Sequence, residues 1–272
     1  MPGRPNADWL RQAVATACQV MAERGLVEHI LGHISVRVGP EELLVRCRGP
    51  EEAGLAYTTA DDIRAVGLDG FGDLGDWTAP NELPIHTEVM RRRPAVTAVV
   101  HAHPPAVVAA SLLDAPLLPI YGAYDIPGAQ LAVGGISTWE RAALITTREL
   151  AGAMAETLGE RPVVILRGHG LVSVAEGPPE TAVARAVLQA VAVDTLARTT
   201  LTVRSAGGVP SPLSDEDLRG LPDLGSSFLV DTMWRHLQRR TIDRLHPDWR
   251  TNPRQRGQVA SHNITNPRGL DW

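Results

Sequence analysis

Two histidines one residue apart close an apolar run at Thr97-Ala98-Val99-Val100-His101-Ala102-His103. In a strand, side chains at i and i+2 share a face. His101 and His103 would then stand side by side at a strand's end, a pose that suits a transition-metal ion. A second strand-like run, Val163-Val164-Ile165-Leu166, leads into Arg167-Gly168-His169-Gly170. There a histidine sits between two glycines, which let the backbone turn and leave the imidazole uncrowded. Upstream, Glu82 lies near the start of a helical stretch, where the helix dipole favours an ionised carboxylate. Three histidines at strand ends and one carboxylate make a candidate metal site. His86 shares a helix face with Glu82 at i+4. It reads either as a further ligand or as a histidine hydrogen-bonded within the domain.

Composition narrows the chemistry. All 26 basic residues of the 272-residue chain are arginine. Without lysine, no side chain can form a Schiff base, anchor pyridoxal phosphate or complete a P-loop. If a carbanion or enolate forms here, a bound metal is the remaining electrophile. A net charge of -5, with Arg91-Arg92-Arg93 as the one basic run, argues against nucleic acid as a partner. That run reads as the solvated end of a helix, where cations complement the dipole. Cys18 and Cys47 supply neither a disulfide framework nor a CxxC motif. No stretch reaches the ~18 apolar residues of a membrane span, and the N-terminus has no signal-peptide core. A cytoplasmic protein with no membrane partner is expected.

The elements that must position these residues follow from periodicity and punctuation. Residues 8–24 repeat Leu10, Val14, Cys18 and Met21 at helical spacing and stop at Gly25. Residues 34–38 and 43–48 read as strands joined by a turn at Gly39-Pro40. Residues 58–65 read as a short helical or turn segment opened by Thr59. Asn81 is placed to cap a helix that Pro94 ends, with Pro84 tolerated in the first turn. A strand to His103 follows, then a helix from Pro104-Pro105 to Ser111. Helices are expected at 144–158, 179–200 and 228–245, strands at 163–166 and 171–174, and a short helix from Ser214 with a capping-box-like Asp217. The domain spans 1–246. The tail 247–272 has little to bury and is expected to be disordered or to lie on a neighbouring subunit. The mixture predicts an α/β fold with a central, largely antiparallel sheet between helices.

Four segments in this order resemble the class II aldolase/adducin family over roughly residues 8–205. They are Gly32-His33-Ile34-Ser35-Val36-Arg37, Asn81-Glu82-Leu83-Pro84-Ile85-His86, Val99-Val100-His101-Ala102-His103-Pro104 and Leu166-Arg167-Gly168-His169-Gly170. The resemblance implies a three-layer fold with a central mixed, mostly antiparallel sheet. It implies one divalent metal on His101, His103 and His169, zinc first and manganese, cobalt, iron or magnesium after it. It also implies Glu82 as catalytic acid/base, and a homotetramer with active sites at subunit interfaces.

The chain departs from the family's sugar-phosphate aldolases. Their Gly-Asn-x-Ser loop and Ser-Ser-Glu motif, which cradle the substrate phosphate, read here Gly32-His33-Ile34-Ser35 and Pro80-Asn81-Glu82. Nearby Arg46 and Arg48 either present forked donors to a carboxylate or pair on the surface with Glu41, Glu42 or Glu51. The departure points to a carboxylated, unphosphorylated small molecule and to the family's metal-dependent decarboxylases. The expected reaction is decarboxylation of a hydroxy-substituted aromatic or dienoic polycarboxylate through a metal-stabilised enolate. His33, Ser35, Arg48, Asn81, Tyr124 and His236 are the candidate substrate-binding residues, with Tyr124 and His236 also as weaker proton donors. The alternatives are an aldolase acting on an unphosphorylated hydroxy or oxo acid and a non-haem Fe(II) oxygenase.

Overall fold

The computed structural model describes residues 7–113, 116–225 and 228–245. The expected tail, 247–272, lies outside the described residues. Helix α1 (Ala7–Glu23) leads into strands β1 (His33–Gly39), β2 (Glu42–Arg46) and β3 (Ile63–Gly67). Next come α2 (Leu83–Arg92), β4 (Val96–Ala102), α3 (Pro105–Ser111) and α4 (Ile126–Leu131). Then follow β5 (Ser137–Trp139), α5 (Arg148–Leu158), β6 (Val163–Leu166) and β7 (Gly170–Glu176). The long α6 (Pro179–Ser205), the short α7 (Asp215–Gly220), a π-helical segment (Phe228–Trp234) and α8 (Arg235–Leu245) complete the described chain.

The strands form one seven-stranded sheet in the order β3-β2-β1-β4-β7-β6-β5. Neighbours are antiparallel except β5 and β6, which run parallel. The period of two sorts each strand between two cores. Ile34, Val36, Val100, Val163 and Ile165 pack with α1, α3, α4 and α6 on one face. Val99, Val164, Leu166, Val172 and Val174 pack with α2 and α5 on the other. The sheet is the middle of three layers, as the resemblance implied. Helix α6 is alanine- and valine-rich and buries residues all around its circumference, from Ala182 to Thr200. Such a helix belongs inside a domain rather than on its surface.

Several elements differ from the sequence-based expectation. Ile63–Gly67 is a strand, not a continuation of a turn. Thr59 and Asp62 do form a capping box, but it closes after a single 3-10 turn. Ile63 and Val66 then pair with β2 and bury against different cores. Helix α5 begins at Arg148 rather than at 144, because the Thr147 hydroxyl caps the Leu150 amide and the segment before it is extended. Helix α6 runs five residues past the expected end at 200. The short α4 and the three-residue β5 carry too little periodicity to be read in advance. Asn81 is exposed and does not cap α2; Glu82 holds that position with its carboxylate turned elsewhere. The Arg91–Arg93 run does end α2, but its guanidinium groups are engaged. Arg91 and Arg92 grip the buried Glu88, and Arg93 bonds to Glu176 and to two carbonyls. No helix among the described residues is long and apolar enough to cross a membrane.

Candidate active site

The α2/α5 face of the sheet changes character at one end of β1 and β4. His33 and His101 are paired residues across these strands, and His101 pairs in turn with Val172 of β7. Their side chains therefore share the face that α2 covers. His103 follows β4 by one residue, and its amide is tied to the Leu26 carbonyl at 3.0 Å. His169 sits in the tight turn between β6 and β7. Gly168, at φ 63°, makes that turn, and its amide is held by the Ser111 hydroxyl at 2.8 Å. Gly170 lets β7 press against the end of β4: a Cβ there would meet the Ala102 carbonyl oxygen at 2.2 Å.

These elements bring Glu82, His101, His103 and His169 together. One donor atom from each lies within 4.8 Å of all the others. Nε2 of His101 is 2.8 Å from Nε2 of His103 and 3.2 Å from Glu82 Oε2. Nε2 of His169 is 3.5 Å from the same Oε2. His101 Nδ1 donates to the Leu171 carbonyl at 3.0 Å, which turns Nε2 toward the cluster as the atom that would bind a metal. Two ring nitrogens at 2.8 Å beside a carboxylate oxygen are relieved by a shared cation. Donors around a tetrahedral ion, with bonds of about 2.0–2.1 Å, stand about 3.3 Å apart. The observed separations bracket that value, so the donor set fits a small divalent ion.

Electrostatics point the same way. Burial pushes the His103 imidazole down to about 3, helped by its neighbours His101 and His169. Burial likewise pushes His86 down to about 3 and holds His33 well below its ordinary value. These rings are neutral near pH 7, and a metal needs neutral imidazole. Burial alone would raise the Glu82 carboxyl. Hydrogen bonds from His101 and His169, and the Ile145 amide at 2.8 Å on Oε1, outweigh it and hold the group well below the usual carboxylate range. Glu82 is thus an oriented anion, with Oε1 fixed by backbone and Oε2 facing the histidines.

With this geometry in place, comparison with known proteins is informative. Residues 12–201 match the Class II Aldolase and Adducin N-terminal domain. The chain belongs to this family. It is 56% identical over 231 residues to a 3,4-dihydroxyphthalate decarboxylase of Arthrobacter keyseri, covering 83% of this chain and 91% of that one. It is 51% identical over 230 residues to a protein of the same name from a Terrabacter strain, covering 83% and 94%. Among solved structures, an aldolase II superfamily protein of Pseudomonas syringae superposes with a TM-score of 0.73 at 23% identity, over 88% of this chain and 94% of that one. The last likeness supports the fold. The first two make the chain a class II aldolase-family lyase.

The remaining candidates fall into two groups. His33 is 7% exposed beside the cluster, its ring centroid 5.0 Å from that of His101. Ser35 lies out of direct reach of a substrate. It is fully buried, and its hydroxyl bonds to His86 Nδ1 at 2.7 Å. Arg48 is half-buried and joined through its backbone to Thr78. Arg46 is buried and pairs with Glu52, a partner the sequence did not single out. Asn81, Tyr124 and His236 are exposed, and among the described residues no contact joins them to the histidine cluster. His86 takes the second of its two readings, hydrogen bonding inside the domain, with Nε2 2.6 Å from His33 Nδ1. The Ile145 amide and the Leu171 carbonyl were not foreseen. Backbone groups leave no signal in a residue type.

Proposed function

We propose that this chain removes one carboxylate, as carbon dioxide, from a hydroxy-substituted aromatic dicarboxylate of the 3,4-dihydroxyphthalate kind. The observation that carries the reading is the Glu82–His101–His103–His169 cluster in a chain more than half identical to two such decarboxylases. His101, His103 and His169 would hold a divalent ion, zinc first among the candidates. That ion supplies a Lewis acid for the negative charge that builds on the substrate oxygen next to the departing carboxylate.

The proton work falls to Glu82. Held ionised, it enters the reaction as a base rather than as an acid. Its Oε2 takes the proton of the hydroxyl ortho to the scissile carboxylate and returns it to the ring carbon. The carbon–carbon bond breaks, its electron pair stays on the ring carbon, a carbon–hydrogen bond forms there, and the phenolate regains a proton from water. Loss of that carboxylate from 3,4-dihydroxyphthalate leaves 3,4-dihydroxybenzoate. Arg48 would serve the retained carboxylate, for which the forked donors of a guanidinium are suited.

A homotetramer is the assembly that fits this reading. Exposed Ile30, Leu31, Leu112, Tyr124 and Leu144 supply apolar surface for contacts between subunits. Asn81, Tyr124 and His236 would reach an active site only across such contacts. The cytoplasm is the proposed location, where such small acids are metabolised.

The test is incubation of the zinc-loaded protein with 3,4-dihydroxyphthalate, with carbon dioxide and the aromatic product both measured. Carbon dioxide with 3,4-dihydroxybenzoate supports the proposal. Release of 2,3-dihydroxybenzoate would place the scissile carboxylate wrongly. Aldehyde release from a hydroxy acid without carbon dioxide would put an aldolase in its place, and oxygen consumption an iron oxygenase.

A further inference from the structure

Behind the metal-binding cluster runs a second line of polar groups. Ser35 Oγ meets His86 Nδ1 at 2.7 Å, and His86 Nε2 meets His33 Nδ1 at 2.6 Å. Ser35 and His86 are both fully buried. A buried polar chain in a core is costly unless every member is paired. The pairing here also has a direction.

The direction follows from the serine. A hydroxyl carries one proton to donate, and His86 Nδ1 is the only hydrogen-bond partner of Ser35 Oγ among the described residues. An unpaired buried donor costs more than a spare lone pair on an oxygen that is already bonded. Ser35 therefore donates, and His86 Nδ1 accepts. In a neutral ring the proton then sits on Nε2, which donates to His33 Nδ1. His33, neutral in turn, must carry its own proton on Nε2. That atom has no partner among the described residues, and the ring lies beside His101 at the cluster.

We propose that Ser35 and His86 are positioning residues that lock His33 as a neutral Nε2–H donor aimed at an anionic oxygen of the substrate. The inference rests on the decarboxylase reading for the substrate's chemistry, but the tautomer itself does not. The line ends in a buried hydroxyl, so it has no exit to solvent. It orients a donor and does not conduct protons. It also gives His33 a role distinct from that of a metal ligand: a donor for a catecholate or carboxylate oxygen, placed next to the ion's own site.

The tautomer can be read directly. In the full-length, zinc-loaded protein labelled with 15N-histidine, His33 is assigned by difference against His33→Gln. Its imidazole nitrogen shifts are then compared between wild type, Ser35→Ala, His86→Gln and His86→Leu. The expected result is an Nε2-protonated His33 in wild type and in His86→Gln, whose side-chain amide can still donate to Nδ1. Ser35→Ala and His86→Leu should give a mixed or Nδ1-protonated ring. In parallel, kcat/KM for 3,4-dihydroxyphthalate should fall about tenfold or more in Ser35→Ala and in His86→Leu. His86→Gln should recover most of the His86→Leu loss, with zinc content equal in all four proteins. An Nδ1-protonated His33 in wild type, or an unchanged tautomer in Ser35→Ala, overturns the inference. If wild type shows the expected tautomer yet decarboxylates no catechol acid, the proposed function fails while the locked donor stands.

Discussion

Replacing Glu82 by glutamine separates charge from shape. Glutamine keeps an oxygen that can accept the Ile145 amide, the bond that anchors the segment before α5 at 2.8 Å. The bond changes from charge-assisted to neutral, a difference of about 1 kcal/mol. That should lower the melting temperature by only about 2–4 °C. The three histidines remain, so zinc should stay near one ion per subunit. What disappears is the base. A general acid/base typically contributes about 10²–10⁴-fold, or about 3–5 kcal/mol of barrier at 1.36 kcal/mol per decade.

The measurement is steady-state carbon dioxide release on 3,4-dihydroxyphthalate, with zinc analysis and a thermal melt on the same preparation. The expected pattern is a kcat loss of at least about 100-fold, zinc retained and the fold intact. Activity within about threefold of wild type would be far below the range for a proton-transfer residue and would refute the assignment. Equal loss of zinc and of activity would recast Glu82 as mainly a ligand.

Four other outcomes are expected. Alanine at His101, His103 or His169 should each strip most of the zinc while far-ultraviolet circular dichroism changes little; full occupancy in all three variants would remove the metal site. Arg48→Leu should raise KM for the substrate by more than it lowers kcat, since a positioning contact acts on ground and transition states alike; a pure kcat effect contradicts this. Gly170→Ala should destabilise by about 1–3 kcal/mol or more, because its Cβ meets the Ala102 carbonyl oxygen at 2.2 Å; an unchanged urea midpoint would show that β7 can shift away. The metal-free protein should lose stability on acidification. His86 titrates near 3 when folded, against about 6.5 when unfolded. Between those values the unfolded chain binds the extra proton, so the stability is complete above about 6.5 and falls toward 3, by up to about 1.4 kcal/mol per pH unit. Urea midpoints at pH 7 and 5.5 check the sign, and a steeper loss in His86→Gln than in wild type would reverse it.

Much of this arrangement was legible in residue types and spacing. His101-Ala102-His103 announced two side chains on one face because strand geometry has a strict period of two. Gly168-His169-Gly170 announced a tight turn because few other residues allow one. The strong helical repeats at α1 and α6 could be read for the same reason. What escaped was of two kinds. Short elements such as α4 and β5 carry no period, and β3 follows a capping box that promised a longer helix. The other kind is pairing set by the fold alone. Arg46 and Glu52 lie six residues apart, but only the curl of the chain after β2 turns them toward each other. Ser35 is expected at the substrate from its place in the Gly32-His33-Ile34-Ser35 motif. The same period of two that puts it on one face with His33 also puts it deeper, under His86 of α2.

That depth shows why the site sits where it does. The α2/α5 face is apolar along Val99, Val172 and Val174 and turns polar at His33, Ser35, His86 and His101. A slip of one residue in β4 would send His101 into the α1/α6 core and bring an alanine or valine to the cluster. The register is held against that slip from both sides, by β1 through Ile34↔Val100 and by β7 through Val99↔Val174. Buried imidazoles weaken a core that valine or leucine would fill better. Each one here is nevertheless bonded or held at a common point: His101 to Leu171, His86 to Ser35, and His33 to His86. The ordered sheet thus does for the site what loops could not. It sets His33 and His101 on one face and turns His101 Nε2 toward a carboxylate that is itself held by backbone.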